Sequence, residues 1–141
     1  MMYGNDPAHY RRFFSEVWRK HREGAALQPL EEMVAHIIVE HPEYHRLLED
    51  PATLDQDYAP ESGHTNPFLH MGLHIAIQEQ LAADRPVGIR GIYQELMQRH
   101  ADPHEVEHRM AECLAESIWE AQRNSSVPDE AVYLERLRRL Q

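Results

Sequence analysis

A chain of 141 residues with 14 Lys and Arg against 24 Asp and Glu carries a formal net charge of -10, the wrong sign for neutralising nucleic-acid phosphates or coating an anionic membrane surface. Its 42% hydrophobic and 27% charged residues exclude the composition of intrinsic disorder and suit one helical domain over residues 1–141. No apolar run approaches the roughly 20 residues of a membrane span, and the first residues lack the basic and apolar regions of a secretory signal, so the expected compartment is the cytoplasm.

Helix starts are marked by prolines. Asp6-Pro7, Asn66-Pro67 and Asp102-Pro103 each set a capping side chain before a proline at the first helical position, where its missing N–H costs nothing. Pro29, Pro42 and Pro128 read as further starts, the last followed by Asp129 and Glu130, whose charges suit a helix N-terminus. The first helix is expected over about 7–23, with Tyr10, Phe13, Phe14, Val17, Trp18 and His21 in a three-and-four stripe and Gly24 ending it. The second spans about 29–40 with Leu30, Met33, Val34, Ile37 and Ile38, and a short third begins at Pro42 and contains His45, Leu47 and Leu48. Residues of about 50–65 lack periodicity and contain Asp55, Asp57, Pro60 and Glu61, which predicts a long acidic loop.

The fourth helix, about 67–83, is apolar nearly all round (Phe68, Leu69, Met71, Leu73, Ile75, Ile77) and is expected to be central and buried. A fifth is expected over about 88–99, a sixth over about 103–122 with a stripe of Val106, Met110, Cys113, Leu114 and Ser117, and a seventh over about 129–140. With no period-two strand and no internal repeat, the fold class is all-α, a single-domain bundle of six or seven helices.

Eleven histidines stand out, about three times an ordinary share for this length. Four pairs fall at i, i+4: His41/His45, His70/His74, His100/His104 and His104/His108. Random placement would give about 0.8 such pairs, and the spacing puts two imidazoles on one helix face within reach of one ion. His70 and His74 share a side with Ile77 and Leu81 and are expected to be buried, where each imidazole needs partners for both nitrogens; a metal on one and an acceptor on the other meets that need. The alternative is a pair of core histidines bonded to backbone carbonyls or to the acidic loop.

His104 and His108 lie off the main stripe of the sixth helix, on a face with Ala111, Ala115 and Trp119 that reads as solvated or, through its small residues, as packed against a neighbour. Pro42 pushes the residue before it out of helical geometry, which breaks the His41/His45 pair. His9, His21, His36, His64 and His100 read as surface residues, with His64 the best of them for an extra ligand. The candidate metal ligands are therefore His70, His74, His104 and His108, with Glu79, Glu105, Glu112 and Glu116 as neighbouring carboxylates and zinc, iron or nickel as the ions imidazole suits.

Other chemistries are weakly represented. His104-Glu105-Val106-Glu107-His108 matches the zinc-protease motif literally, but it opens a helix instead of lying in its middle, and no strand is expected that would align a peptide. Cys113, too solitary for a disulfide or a thiolate cage, reads as a small core residue. No phosphate loop, dinucleotide fingerprint or nucleophile elbow occurs, and no catalytic residue is assigned. Against metal binding stands a non-catalytic interaction module with structural histidines, whose Phe13, Phe14 and Trp18 face docks a partner or a second copy of the chain.

Arg11-Arg12-Phe13-Phe14, His41-Pro42-Glu43-Tyr44-His45, Asn66-Pro67-Phe68-Leu69-His70-Met71-Gly72-Leu73-His74 and the stretch from His104 to Trp119 resemble a bacterial domain-of-unknown-function family, number 1841, over nearly the whole chain. The resemblance implies a small stand-alone bacterial protein and brings no activity or site residues with it.

Overall fold

The computed structural model describes residues 7–50 and 67–140, and the regular structure there is entirely helical. Seven α-helices occur among the described residues: α1 Pro7–Glu23, α2 Pro29–Val39, α3 His45–Glu49, α4 Pro67–Ala83, α5 Ile89–Arg99, α6 Pro103–Arg123 and α7 Glu130–Arg138, with one 3-10 turn, Pro42–Tyr44, before α3. The expected all-α class and its element order are what the chain adopts. His64 and most of the acidic 50–65 stretch lie outside the described residues. The chain forms two compact units that divide within α4, one up to residue 75 and one from residue 76.

The first unit is built from α1, α2, α3 and the start of α4. Phe14, Val17 and Trp18 of α1 and Val34, Ile37 and Ile38 of α2 recur at three-and-four spacing, so one stripe of each helix is apolar, and all six are buried together with Leu48, Phe68, Met71 and Ile75. Each such side chain contributes about 1.5–3 kcal/mol of burial. Gly24 ends α1 in the left-handed region at φ +72°, where the Ala25 amide reaches back to the Lys20 carbonyl at 2.9 Å. At the other turn, the Gln28 amide donates to Glu31 Oε1 at 2.9 Å, and Lys20 Nζ meets Glu31 Oε2 at 2.8 Å, tying α1 to the start of α2.

The five-residue α3 is too short to stand alone and is clipped onto α1. Ser15 Oγ donates to the Leu48 carbonyl at 2.8 Å, Trp18 Nε1 donates to Glu49 Oε2 at 2.9 Å, and the Trp18 ring stacks on His45 with centroids 4.2 Å apart. The Phe13, Phe14 and Trp18 stripe is therefore core: Phe14 and Trp18 are buried and Phe13 packs partly buried against the same cluster. The first-unit part of α4 departs from all-round burial at Leu69, which is 60% exposed.

In the second unit, Ile89, Ile92 and Leu96 of α5, the expected α6 stripe of Val106, Met110, Cys113, Leu114 and Ser117, and Tyr133 and Leu137 of α7 are buried. Arg90 of α5 donates to the Leu81 and Ala82 carbonyls at 3.0 and 2.9 Å, satisfying the open end of α4. The expected cap of α6 is present, with Asp102 Oδ1 accepting from the His104 amide at 3.0 Å. At α7 the cap is Asp129, whose Oδ1 accepts from the Ala131 and Val132 amides at 3.0 and 3.2 Å. Pro128 thus precedes the cap, a shift from its expected role as a helix start. The carboxylate can accept those amides, whereas proline has no side-chain acceptor.

Candidate metal centre

His70 and His74 project from one face of α4 one turn apart, as their spacing requires, with ring centroids 4.8 Å apart and planes at 65°. His74 is fully buried and His70 partly so. A third imidazole joins them that the spacing rule had set aside. His41 lies 2% exposed, with its ring centroid 4.8 Å from that of His74 and 5.2 Å from that of His70, at interplanar angles of 64° and 80°.

Pro42 explains both halves of this result. His41 takes φ -124° and ψ 65°, off the helix, as the pre-proline position demands. The His41/His45 pair is thereby broken, and the two rings go separate ways. His45 Nε2 donates to the Ile38 carbonyl at 2.8 Å and its ring stacks on Trp18, while His41 turns inward. His41 also continues the buried line of Val34, Ile37 and Ile38 at i+7, i+4 and i+3, a periodicity that marks it for burial even though the i, i+4 rule does not.

His41 is held in a defined tautomer. Its Nδ1 lies 2.7 Å from the Ile37 carbonyl, which can only accept, so Nδ1 carries the proton and Nε2 the lone pair. That is the arrangement by which a backbone carbonyl orients a metal-ligating histidine. Tyr44, at the end of the 3-10 turn, lays its ring nearly parallel to His41 at 9° and 5.7 Å and edge-on to His70 at 71° and 6.2 Å. Partial burial and the charge of Glu43 raise its phenol above the ordinary range.

His104 and His108 stand on the first two turns of α6, in the second unit, and both are partly buried. His108 Nε2 lies 3.2 Å from Glu112 Oε1. The two expected pairs thus belong to different units. Glu79, Glu105, Glu112 and Glu116 are exposed. Glu105 accepts from Arg109 Nε at 3.0 Å on the surface of α6, so the residue that would be the general base of a zinc protease is engaged in a solvent-facing ion pair. The buried carboxylate of α6 is instead Glu107, 6% exposed, accepting from Gln78 Nε2 at 2.7 Å. Its i+3, i+4 and i+7 neighbours Met110, Ala111 and Leu114 are buried, which is the signal that could have found it.

Of the histidines read as surface residues, His9, His21 and His36 are exposed, whereas His100 is partly buried with its Nε2 shut off from solvent. Cys113 is buried, and burial beside Glu116 and Glu112 raises its thiol, the opposite of an activated nucleophile. No helix among the described residues is long and apolar enough to cross a membrane.

These features define an all-α helical protein with three imidazoles gathered in the interior of its first unit. The chain belongs to the family described as Domain of unknown function (DUF1841), which matches residues 6–139. Neither a curated protein nor a solved structure gives a match.

Proposed function

We propose that this protein binds a transition metal ion, zinc, iron or nickel, with His70 and His74 as ligands, as their spacing suggests, and His41 as a third. The observation that carries the reading is the spacing of the three rings. An ion about 2.0–2.1 Å from each imidazole nitrogen sits about 3.2 Å from each ring centre, which at tetrahedral angles separates the centres by about 5 Å. The three separations here are 4.8, 4.8 and 5.2 Å.

His41 and His74 offer ring nitrogens within 4.8 Å of each other, and so do His70 and His74. The Ile37 carbonyl on His41 Nδ1 supports the reading further, because it presents Nε2 as the donor. His104 and His108 are a separate donor pair, one turn apart on α6 within the second unit. The competing interaction-module reading loses its chosen surface, since Phe14 and Trp18 are core residues.

Elemental analysis of protein purified without an affinity tag tests this. A stoichiometric metal is expected, falling in His41→Ala, His70→Ala and His74→Ala and unchanged in His36→Ala, an exposed residue paired with Glu40 at 2.7 Å. The same measurement on His104→Ala and His108→Ala tests whether the α6 pair contributes to metal content. Absence of metal after supplementation would leave the histidines a structural role.

A further inference from the structure

We infer that Tyr44 is a positioning residue of this metal site, its aromatic ring bracing His41 against His70; the inference rests on the metal-binding reading above. The two imidazoles come from chain segments that share no helix: His41 follows α2 and His70 lies in α4. A ligand set assembled from separate elements needs something to hold its members at one angle to each other. Tyr44 meets both rings, lying parallel to His41 within 9° at 5.7 Å and edge-on to His70 at 71° and 6.2 Å. These offset-parallel and edge-to-face arrangements are the two that aromatic pairs favour.

The backbone places Tyr44 for this. The 3-10 turn that Pro42 starts brings the Tyr44 amide to the His41 carbonyl at 3.0 Å, and the His41 amide bonds the Ile38 carbonyl at 3.0 Å. Ring, turn and ligand therefore form one short unit, in which the tyrosine cannot shift without taking His41 along. His41 is fixed at Nδ1 by the Ile37 carbonyl and on its face by Tyr44. The role belongs to the ring, with no part assigned to the phenol hydroxyl.

Cobalt(II) is the probe, because its visible absorption reports ligand geometry as well as occupancy. Titrating tag-free apoprotein with cobalt(II), we expect Tyr44→Ala to weaken binding about tenfold or more, as loss of an outer support typically does. The visible band should also change shape. Tyr44→Phe should restore both affinity and band. Tyr44→Leu keeps apolar bulk and so guards against a variant that fails to fold; with helical circular dichroism intact, it should behave like Tyr44→Ala.

If Tyr44→Leu binds cobalt(II) as the parent does, the positioning role is wrong. A Tyr44→Phe defect as large as that of Tyr44→Ala would also overturn it, since the hydroxyl would then be the active part. Failure of the parent protein to bind cobalt(II), zinc(II), nickel(II) or iron(II) would instead remove the metal-binding reading on which this one stands.

Discussion

The imidazoles of His41 and His74 meet edge to face with ring centroids 4.8 Å apart, although one follows α2 beyond its end and the other is fully buried within α4. Two polar rings in an apolar interior lose hydration that something must replace. For His41 the Ile37 carbonyl replaces part of it at Nδ1. This pairing ties the end of α2 to α4 through chemistry that an aliphatic pair would lack, and it gives the first unit its most distinctive experimental handles.

His41→Ala and His45→Ala should separate cleanly, although the two residues stand four apart. Loss of His41 is expected to abolish stoichiometric metal. Loss of His45 should leave metal content unchanged and cost about 1 kcal/mol of stability, from the stack on Trp18 and the bond to the Ile38 carbonyl. Elemental analysis and a urea titration of each variant give the two readouts.

If metal binds the folded chain and not the unfolded one, it stabilises by mass action. The parent should therefore melt at a higher temperature with metal than with a chelator, and that difference should vanish in His74→Ala. Differential scanning calorimetry of parent and variant, each with and without chelator, checks this. A chelator effect that survives the substitution would place the ion elsewhere.

Glu107 predicts the cost of an unsatisfied polar group. Replacing it with Ala strips the partner from the part-buried Gln78 amide, which donates to Glu107 Oε2 at 2.7 Å, and should destabilise by about 1–3 kcal/mol. Glu107→Gln keeps an acceptor and should cost less. Glu105→Ala, which removes a surface ion pair on the same helix, should cost under about 1 kcal/mol. Equilibrium denaturation ranks the three.

On the alkaline side, stability follows Tyr133 and Cys113. Burial pushes the Tyr133 phenol up from its ordinary 10.0 despite its bond to Gln80 Oε1 at 2.7 Å, and burial raises the Cys113 thiol from 9.0. Both groups are acids whose folded pKa exceeds the unfolded value, so the unfolded chain releases protons first as pH rises. Their contribution is complete below about pH 8.5 and is lost progressively above it as the unfolded thiol and then the unfolded phenol ionise. Unfolding free energy should be level in these groups from pH 7 to 8 and fall between pH 9 and 11, and at pH 8 Cys113 should react with a thiol reagent only as fast as the chain opens. A denaturant series with a parallel thiol-labelling time course measures both.

Asp129→Ala should cost about 1 kcal/mol, since one carboxylate oxygen accepts two amides at the start of α7. Pro128→Ala, one residue outside the cap, should change stability by no more than about half that. Urea midpoints of the two variants distinguish a capping carboxylate from a proline-led start.

The helices and most of their buried faces are legible in the residues alone. Asp102 caps α6 and the Phe14, Val17, Trp18 stripe is core because caps and three-and-four periodicity are local properties, fixed within a turn or two of the chain. The His70/His74 pairing is legible for the same reason, since both rings ride on one helix. Which other groups meet them depends on how the helices pack. His41 reaches the pair because Pro42 turns it off α2 toward the interior, and Tyr44 follows in the same turn. Glu107 is the buried carboxylate of α6 while Glu105 faces solvent, although both lie within the same turn of sequence. Local periodicity marks His41 and Glu107 for burial, but the groups each meets there lie far apart in the chain, and local spacing does not encode such contacts.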